Sequence, residues 1–191
     1  MTIEIAAYHS PLGEVMMALR DARVCALAFT DRWPPIERRL AQRFGTAAPR
    51  RDGAVKTVAR RLDAYFAGDL QALDEVAIDP GGTAFQGAVW AVLRRVPAGQ
   101  TTTYAALART IGSPRAVRAV GAANAANPIW LIIPCHRAIG SDGRLVGYAG
   151  GVERKRWLLE HEGALQPDLL GGCTVQRAPM RADQLFGRGP D

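Results

Sequence analysis

Leu131-Ile132-Ile133-Pro134-Cys135-His136-Arg137 places a thiol between an apolar run and two basic side chains. The three apolar residues are of strand type and bury the approach to Cys135, while Pro134 fixes φ and removes an N–H where the chain turns. His136 and Arg137 follow directly, and adjacent basic groups lower a thiol's pKa and make it nucleophilic. The same residues also fit a free cysteine serving as a small core hydrophobe, the commoner fate of a lone thiol. On this stretch alone the two readings are even.

The surrounding chain has 191 residues, enough for one domain with a full core or for two small ones. Its formal net charge is +6, and the excess is almost all arginine, since Lys56 and Lys155 are the only lysines. That balance suits a polyanionic partner. Cys25, Cys135 and Cys173 are odd in number and widely spaced, which fits neither a disulfide framework nor a paired zinc motif. Glu4, His9, Glu14 and Arg20 interrupt the first twenty residues, so no signal-peptide core is present, and no run approaches membrane-spanning length. A soluble cytoplasmic protein is expected, with no membrane partner.

From the N-terminus, Ile3 to Phe29 reads as short strands broken by turns at Ser10-Pro11-Leu12-Gly13 and Asp21-Ala22-Arg23, a small antiparallel sheet. Pro34 to Phe44 carries apolar residues at Ile36, Leu40 and Phe44 between helix-starting prolines and Gly45. Ala54 to Ala67 fits a second helix, with an apolar stripe of Val55, Val58, Leu62, Tyr65 and Phe66. Val76-Ala77-Ile78 reads as a short strand, and Asp79-Pro80-Gly81-Gly82 as a turn-forming linker. The fold class is therefore α+β: a scaffold domain over residues 1–79, a mainly helical domain over 80–164, and a disordered tail over 165–191, where Gly, Pro and Arg replace periodicity.

Thr83-Ala84-Phe85-Gln86 has the form of a capping box opening a helix with Phe85, Val89, Val92, Leu93 and Val96 on one face. Thr103 then caps a helix ended by Gly112, and Ser113-Pro114 opens another, the layout of a helix-turn-helix. The spacing places Val117, Val120 and Asn124 inward and Arg115, Arg118, Ala119 and Ala122 outward. A face of small and basic residues approaches nucleic acid closely but reads few base edges, which favours binding by shape and phosphate. A buried Ala-rich helix would explain the alanines but not the arginines. Val152 to His161 forms a last helix, stopped at Gly163.

Pro134-Cys135-His136-Arg137, preceded by Asn127-Pro128 and followed by Gly147-Tyr148-Ala149-Gly150-Gly151 and Trp157-Leu158-Leu159-Glu160-His161-Glu162-Gly163, resembles the active-site region of O6-alkylguanine-DNA alkyltransferases. The resemblance is dense from Thr83 to Gly163 and looser before it. It implies irreversible, single-turnover transfer of an alkyl group from O6-alkylguanine in duplex DNA to Cys135, with O4-alkylthymine as a further substrate it allows. The target base is flipped out of the helix, and DNA is held through the minor groove by a single copy of the protein. The resemblance gives His136 the role of base, acting through a water, with Glu162 orienting it. Tyr104 contacts the extruded base, Arg118 replaces it in the duplex, with Arg115, Ala119 and Ala122 on the same DNA-binding face, and Asn127 braces the turn before the cysteine. Pro134, Gly147, Tyr148 and Ala149 form the substrate pocket, with Ala149 where some relatives have serine. No cofactor is implied. Some relatives hold a structural zinc in the N-terminal domain, but His9 and Cys25 are too few for a closed site, so no metal is expected.

Two other functions fit parts of this pattern. A non-catalytic lesion-binding protein would keep the helix-turn-helix, although such relatives lack the cysteine, and a cysteine hydrolase would use Cys135, His136 and Glu162 but leave Arg118 idle. In the tail, Ala182-Asp183-Gln184-Leu185-Phe186 loosely resembles the peptides by which bacterial repair proteins bind the sliding clamp, without the leading glutamine.

Overall fold

A computed structural model describes residues 3–45, 48–49, 53–167, 173–175 and 179–185. The chain divides into two compact units, one of residues 1–81 with 128–132 and the other of residues 82–127 with 133–191. The break falls at Gly81/Gly82 rather than after residue 79, and Pro128–Ile132 joins the first unit instead of continuing the second.

In the first unit, β1 (Glu4–Ser10), β2 (Gly13–Arg20) and β3 (Arg23–Phe29) form an antiparallel meander. Asp21 and Ala22 both adopt positive φ at the β2–β3 turn, the twist that a two-residue hairpin needs. α1 (Trp33–Phe44) follows, β4 (Ala48–Pro49) adds a parallel edge beside β1 to give the order β3-β2-β1-β4, and α2 (Gly53–Phe66) comes next. α1 packs on β3, and α2 packs on β1 and β2. The apolar stripes of both helices are buried with Val15, Met17, Leu19, Leu27 and Phe29. The expected strand at Val76–Ile78 reduces to a single bridge, Ile78 beside Val24, flanked by backbone bonds from Val24 N–H to Ala77 and from Asp79 N–H to Val24. On the same strand, Leu27 exchanges backbone bonds with Pro128 and Trp130 at 2.9 and 2.7 Å.

The second unit opens with α3 (Ala84–Leu93), whose capping box is complete: Thr83 Oγ1 accepts from Gln86 N–H and the Gln86 side chain accepts from Thr83 N–H. β5 (Thr102–Thr103) leads into α4 (Tyr104–Thr110), with Thr103 Oγ1 accepting from Ala106 N–H. Gly112 takes φ +70° to end that helix, a conformation glycine adopts without steric cost. α5 (Val117–Ala125) starts three residues after Pro114, because Ala116 N–H first closes a turn onto Ser113. That delay leaves Val117 37% exposed, so it does not face inward as the spacing implied. α5 is fastened to α3 by Trp90 Nε1, which donates to the Ala123 carbonyl at 2.9 Å.

Cys135 does not stand on a strand. Backbone bonds from Ile132 N–H to Trp130 and from Cys135 N–H to Ile133 close successive three-residue turns, and Cys135–Arg137 then forms a 3-10 turn with Arg137 N–H on Pro134. These local bonds satisfy groups that a strand ladder would otherwise take, and Leu131 accepts a positive φ of 68° in doing so. Only β6 (Ala138–Ile139) is extended, paired in parallel with β5. α6 (Val152–His161) follows.

The tail expected to be structureless has ordered parts among its described residues. β7 (Leu165–Pro167) pairs with β8 (Cys173–Val175), and Met180 bridges Thr102, extending the sheet of β5 and β6. The segment compared with a clamp-binding peptide forms α7 (Ala182–Leu185) on α4, with Leu185 buried; Phe186 lies outside the described residues. No helix among the described residues is long and apolar enough to cross a membrane.

Candidate active site

Cys135 is 1% exposed and is held from the end of the helix-turn-helix by two asparagines. Asn127 Nδ2 donates to the Ile133 carbonyl at 2.9 Å and to Cys135 Sγ at 3.0 Å. Asn124 Nδ2 donates to the Cys135 carbonyl at 3.4 Å. Asn127 thus touches the sulfur itself, beyond the turn-bracing role the resemblance implied.

The 3-10 turn replaces the strand geometry in which successive side chains oppose each other, so strand alternation no longer governs where His136 lies relative to Cys135. His136 is fully buried, and its Nε2 lies 2.9 Å from Glu162 Oε1. A carboxylate on Nε2 favours the tautomer with the proton there, which leaves Nδ1 with its lone pair and, among the described residues, without a hydrogen-bond partner. Glu162 sits at the C-cap of α6, where the helix dipole disfavours a carboxylate. Burial pushes its pKa in the same upward direction, yet the charges and hydrogen bonds of His136 and then Arg137 hold it well below the ordinary carboxylate range.

Arg137 and Lys155 complete the buried charge cluster, and neither was singled out as a site residue from sequence. Arg137 donates from Nε to Glu162 Oε2 at 2.9 Å, from Nη2 to Oε1 at 2.8 Å, and from Nη1 to the Val96 carbonyl. Lys155, the fourth residue of α6, is fully buried and donates to the carbonyls of Ala138 and Val146. Burial lowers its pKa to about 8, with Cys135 opposing that shift. The sequence did carry one signal for Lys155, since it is one of only two lysines in an arginine-rich chain.

Burial reverses the expectation of an acidic thiol. It raises Cys135 to about 11, outweighing the Asn127 hydrogen bond and the Lys155 charge that favour the thiolate. Burial likewise lowers His136, against the pull of Glu162 and with added repulsion from Arg137 and Lys155. Burial thus favours the uncharged form of both groups, and the thiol proton must move as reaction proceeds.

A pocket of about 400 Å³ is lined by Tyr104, Gly121, Ala125, Val146, Gly147, Tyr148 and Ala149. Tyr104 Oη donates towards the carbonyls of Val146 and Gly147 at 3.3 and 3.2 Å, and burial raises its pKa to about 12, with Cys135 adding to the effect. Gly147, Tyr148 and Ala149 line this pocket, while Pro134 is buried in the 3-10 turn with its carbonyl engaged by Arg137 N–H. Gly121 and Ala125 were missed because their small side chains carry no chemical signal; they bring α5 to the pocket rim. Arg115, Arg118, Ala119 and Ala122 are all exposed, on and just ahead of the same helix.

Residues 84–164 match a family described as "6-O-methylguanine DNA methyltransferase, DNA binding domain". A methylated-DNA–protein-cysteine methyltransferase of Methanosarcina acetivorans is 40% identical over 159 residues, which cover 83% of this chain and 97% of that protein. One of Salmonella typhimurium is 56% identical over 105 residues, 55% of this chain, and the match spans only 61% of that relative's length. The crystal structure of Mycobacterium tuberculosis OGT in complex with DNA superposes with a TM-score of 0.71 at 39% identity, covering 83% of this chain and 92% of that one.

Proposed function

The chain belongs to the methylated-DNA–protein-cysteine methyltransferase family, and from that premise we propose that it repairs duplex DNA by moving the alkyl group of O6-alkylguanine irreversibly onto Cys135. The observation that carries the proposal is one buried thiol with Asn127 at the sulfur, the His136–Glu162 pair beside it in sequence, and a pocket whose Tyr104 and Tyr148 both feel the Cys135 charge. The alkylated base leaves the stack, at an unstacking cost of roughly a few kcal/mol, and enters the pocket of Tyr104, Tyr148 and Ala149. Arg118 fills its place in the duplex, which is entered from the minor groove by one copy of the protein.

In the transfer step the Cys135 Sγ–carbon bond forms as the carbon–O6 bond breaks. The electron pair of the broken bond goes to O6, the guanine leaves, and Tyr104 Oη helps neutralise it. The thiol proton passes by way of a water to His136 Nδ1, the nitrogen that Glu162 leaves open, and Glu162 stabilises the resulting imidazolium. Nothing reverses the thioether, so each molecule reacts once. The first unit serves as scaffold for this domain.

Intact mass measurement after incubation with a duplex carrying O6-methylguanine tests the proposal. One methyl on the Cys135 peptide at one equivalent is expected. Binding without a change of mass would instead select a lesion-binding protein, and neither outcome would turn attention to cysteine hydrolysis.

A further inference from the structure

We propose that Arg137 is a positioning residue of the transfer reaction, dividing the charge of Glu162 so that His136 stays neutral until it takes the Cys135 proton; this rests on the alkyl-transfer reading above. Glu162 is 3% exposed and, among the described residues, is the carboxylate in contact with His136. Its Oε1 accepts from both His136 Nε2 and Arg137 Nη2, and its Oε2 accepts from Arg137 Nε. A bidentate guanidinium–carboxylate pair is the stronger of these two claims, because arginine stays charged while imidazole does not. Were Glu162 to face His136 alone, a buried carboxylate would draw a proton onto the imidazole. Both ring nitrogens would then be donors, and the thiol would lose its acceptor.

Arg137 does not depend on Glu162 for its place. Its Nη1 is anchored on the Val96 carbonyl, just beyond α3, so the guanidinium spans the end of α3, the 3-10 turn and the C-cap of α6. Among the described residues, the charged groups that act on His136 are Glu162 and Lys155 from α6 and Arg137 from its own turn, with the Tyr148 ring edge-on at 6.4 Å. Lys155 cannot substitute for Arg137, since its ammonium is spent on the Ala138 and Val146 carbonyls. The effect on the imidazole fits this geometry: with burial, the two cations oppose protonation, and Glu162 alone among the partners named favours it at rest.

The experiment reads the charge of His136 directly, by imidazole 15N NMR across a pH titration of the full chain, with the signals of its three histidines assigned by His9→Gln and His161→Gln. In Arg137→Gln the His136 midpoint should rise by about one pH unit or more, the usual size of a close-charge effect. The acid limb of the pH–rate profile with free O6-benzylguanine should move up by the same amount. Arg137→Lys, which keeps the charge but loses the fork, should show a smaller rise. A residue serving only structure would slow transfer at every pH and leave the midpoint in place, and an unchanged midpoint in folded Arg137→Gln overturns the proposal. If that variant does not fold, Arg137→Lys is read in its place: a raised midpoint supports the proposal and an unchanged one overturns it. Failure here while the wild-type chain still accepts a methyl group refutes only the Arg137 assignment, whereas a shifted midpoint in a chain that transfers nothing refutes the reading of function instead.

Discussion

Cys25 in the first unit and Cys135 in the second are alike in the properties most often used to judge a thiol. Both are 1% exposed, and burial raises both to about 11. Cys25 lies on β3, flanked in sequence by Val24 and Ala26, which are fully buried, and its thiol makes a long hydrogen bond of 3.7 Å to the Arg23 carbonyl. Cys135 receives Asn127 Nδ2 at the sulfur, feels the Lys155 charge, and is followed by an imidazole already fixed by a carboxylate. Neither burial nor resting acidity separates the structural thiol from the one proposed to react. What separates them is the Asn127 hydrogen bond at the Cys135 sulfur and the His136–Glu162 pair that follows it in the chain.

The largest effect that could break this comparison is chemical. Cys135→Ser should abolish methyl transfer altogether while duplex binding remains, because the hydroxyl supplies almost no anion even with the same partners. Stoichiometric transfer by that variant, read by intact mass, would show that the thiol is not the acceptor. A smaller effect concerns stability after reaction. An alkyl group on Cys135 adds volume to a packed site and removes the thiol proton, so the protein should lose about 1–3 kcal/mol. Thermal unfolding before and after reaction measures it, and a midpoint that stays or rises would mean that the site was built with room to spare. Cys25 provides the control, with the smallest effect. Cys25→Ala should cost about 1 kcal/mol through lost packing and leave the transfer rate unchanged. A rate that falls with it would place Cys25 in the reaction and erase the distinction.

Much of this architecture was legible residue by residue. Thr83 and Gln86 announce their capping box because both bonds close within four residues, and the stripes of α1 and α2 follow from periodicity alone. Pro134-Cys135-His136-Arg137, with Asn127 and Glu162, marks the candidate site through its resemblance to the family motif rather than through spacing alone. Tertiary structure decided what those residues are to one another. It turned an expected strand into a 3-10 turn, since successive short-range backbone bonds around Pro134 replaced a ladder that no neighbour supplied. It seated α7 on α4, which a Gly- and Pro-rich tail composition concealed. It made Cys135 a weak acid beside two basic residues, because the cost of burying a charge exceeds the help of neighbours that are themselves occupied. Arg137 appeared in the sequence as one more cation beside the thiol. Only the fold brings it to Glu162, across 25 residues of chain, and gives both oxygens of that carboxylate to it. Propensity and periodicity are set by near neighbours and can be read in order, whereas burial and charge pairing depend on which distant residues arrive together.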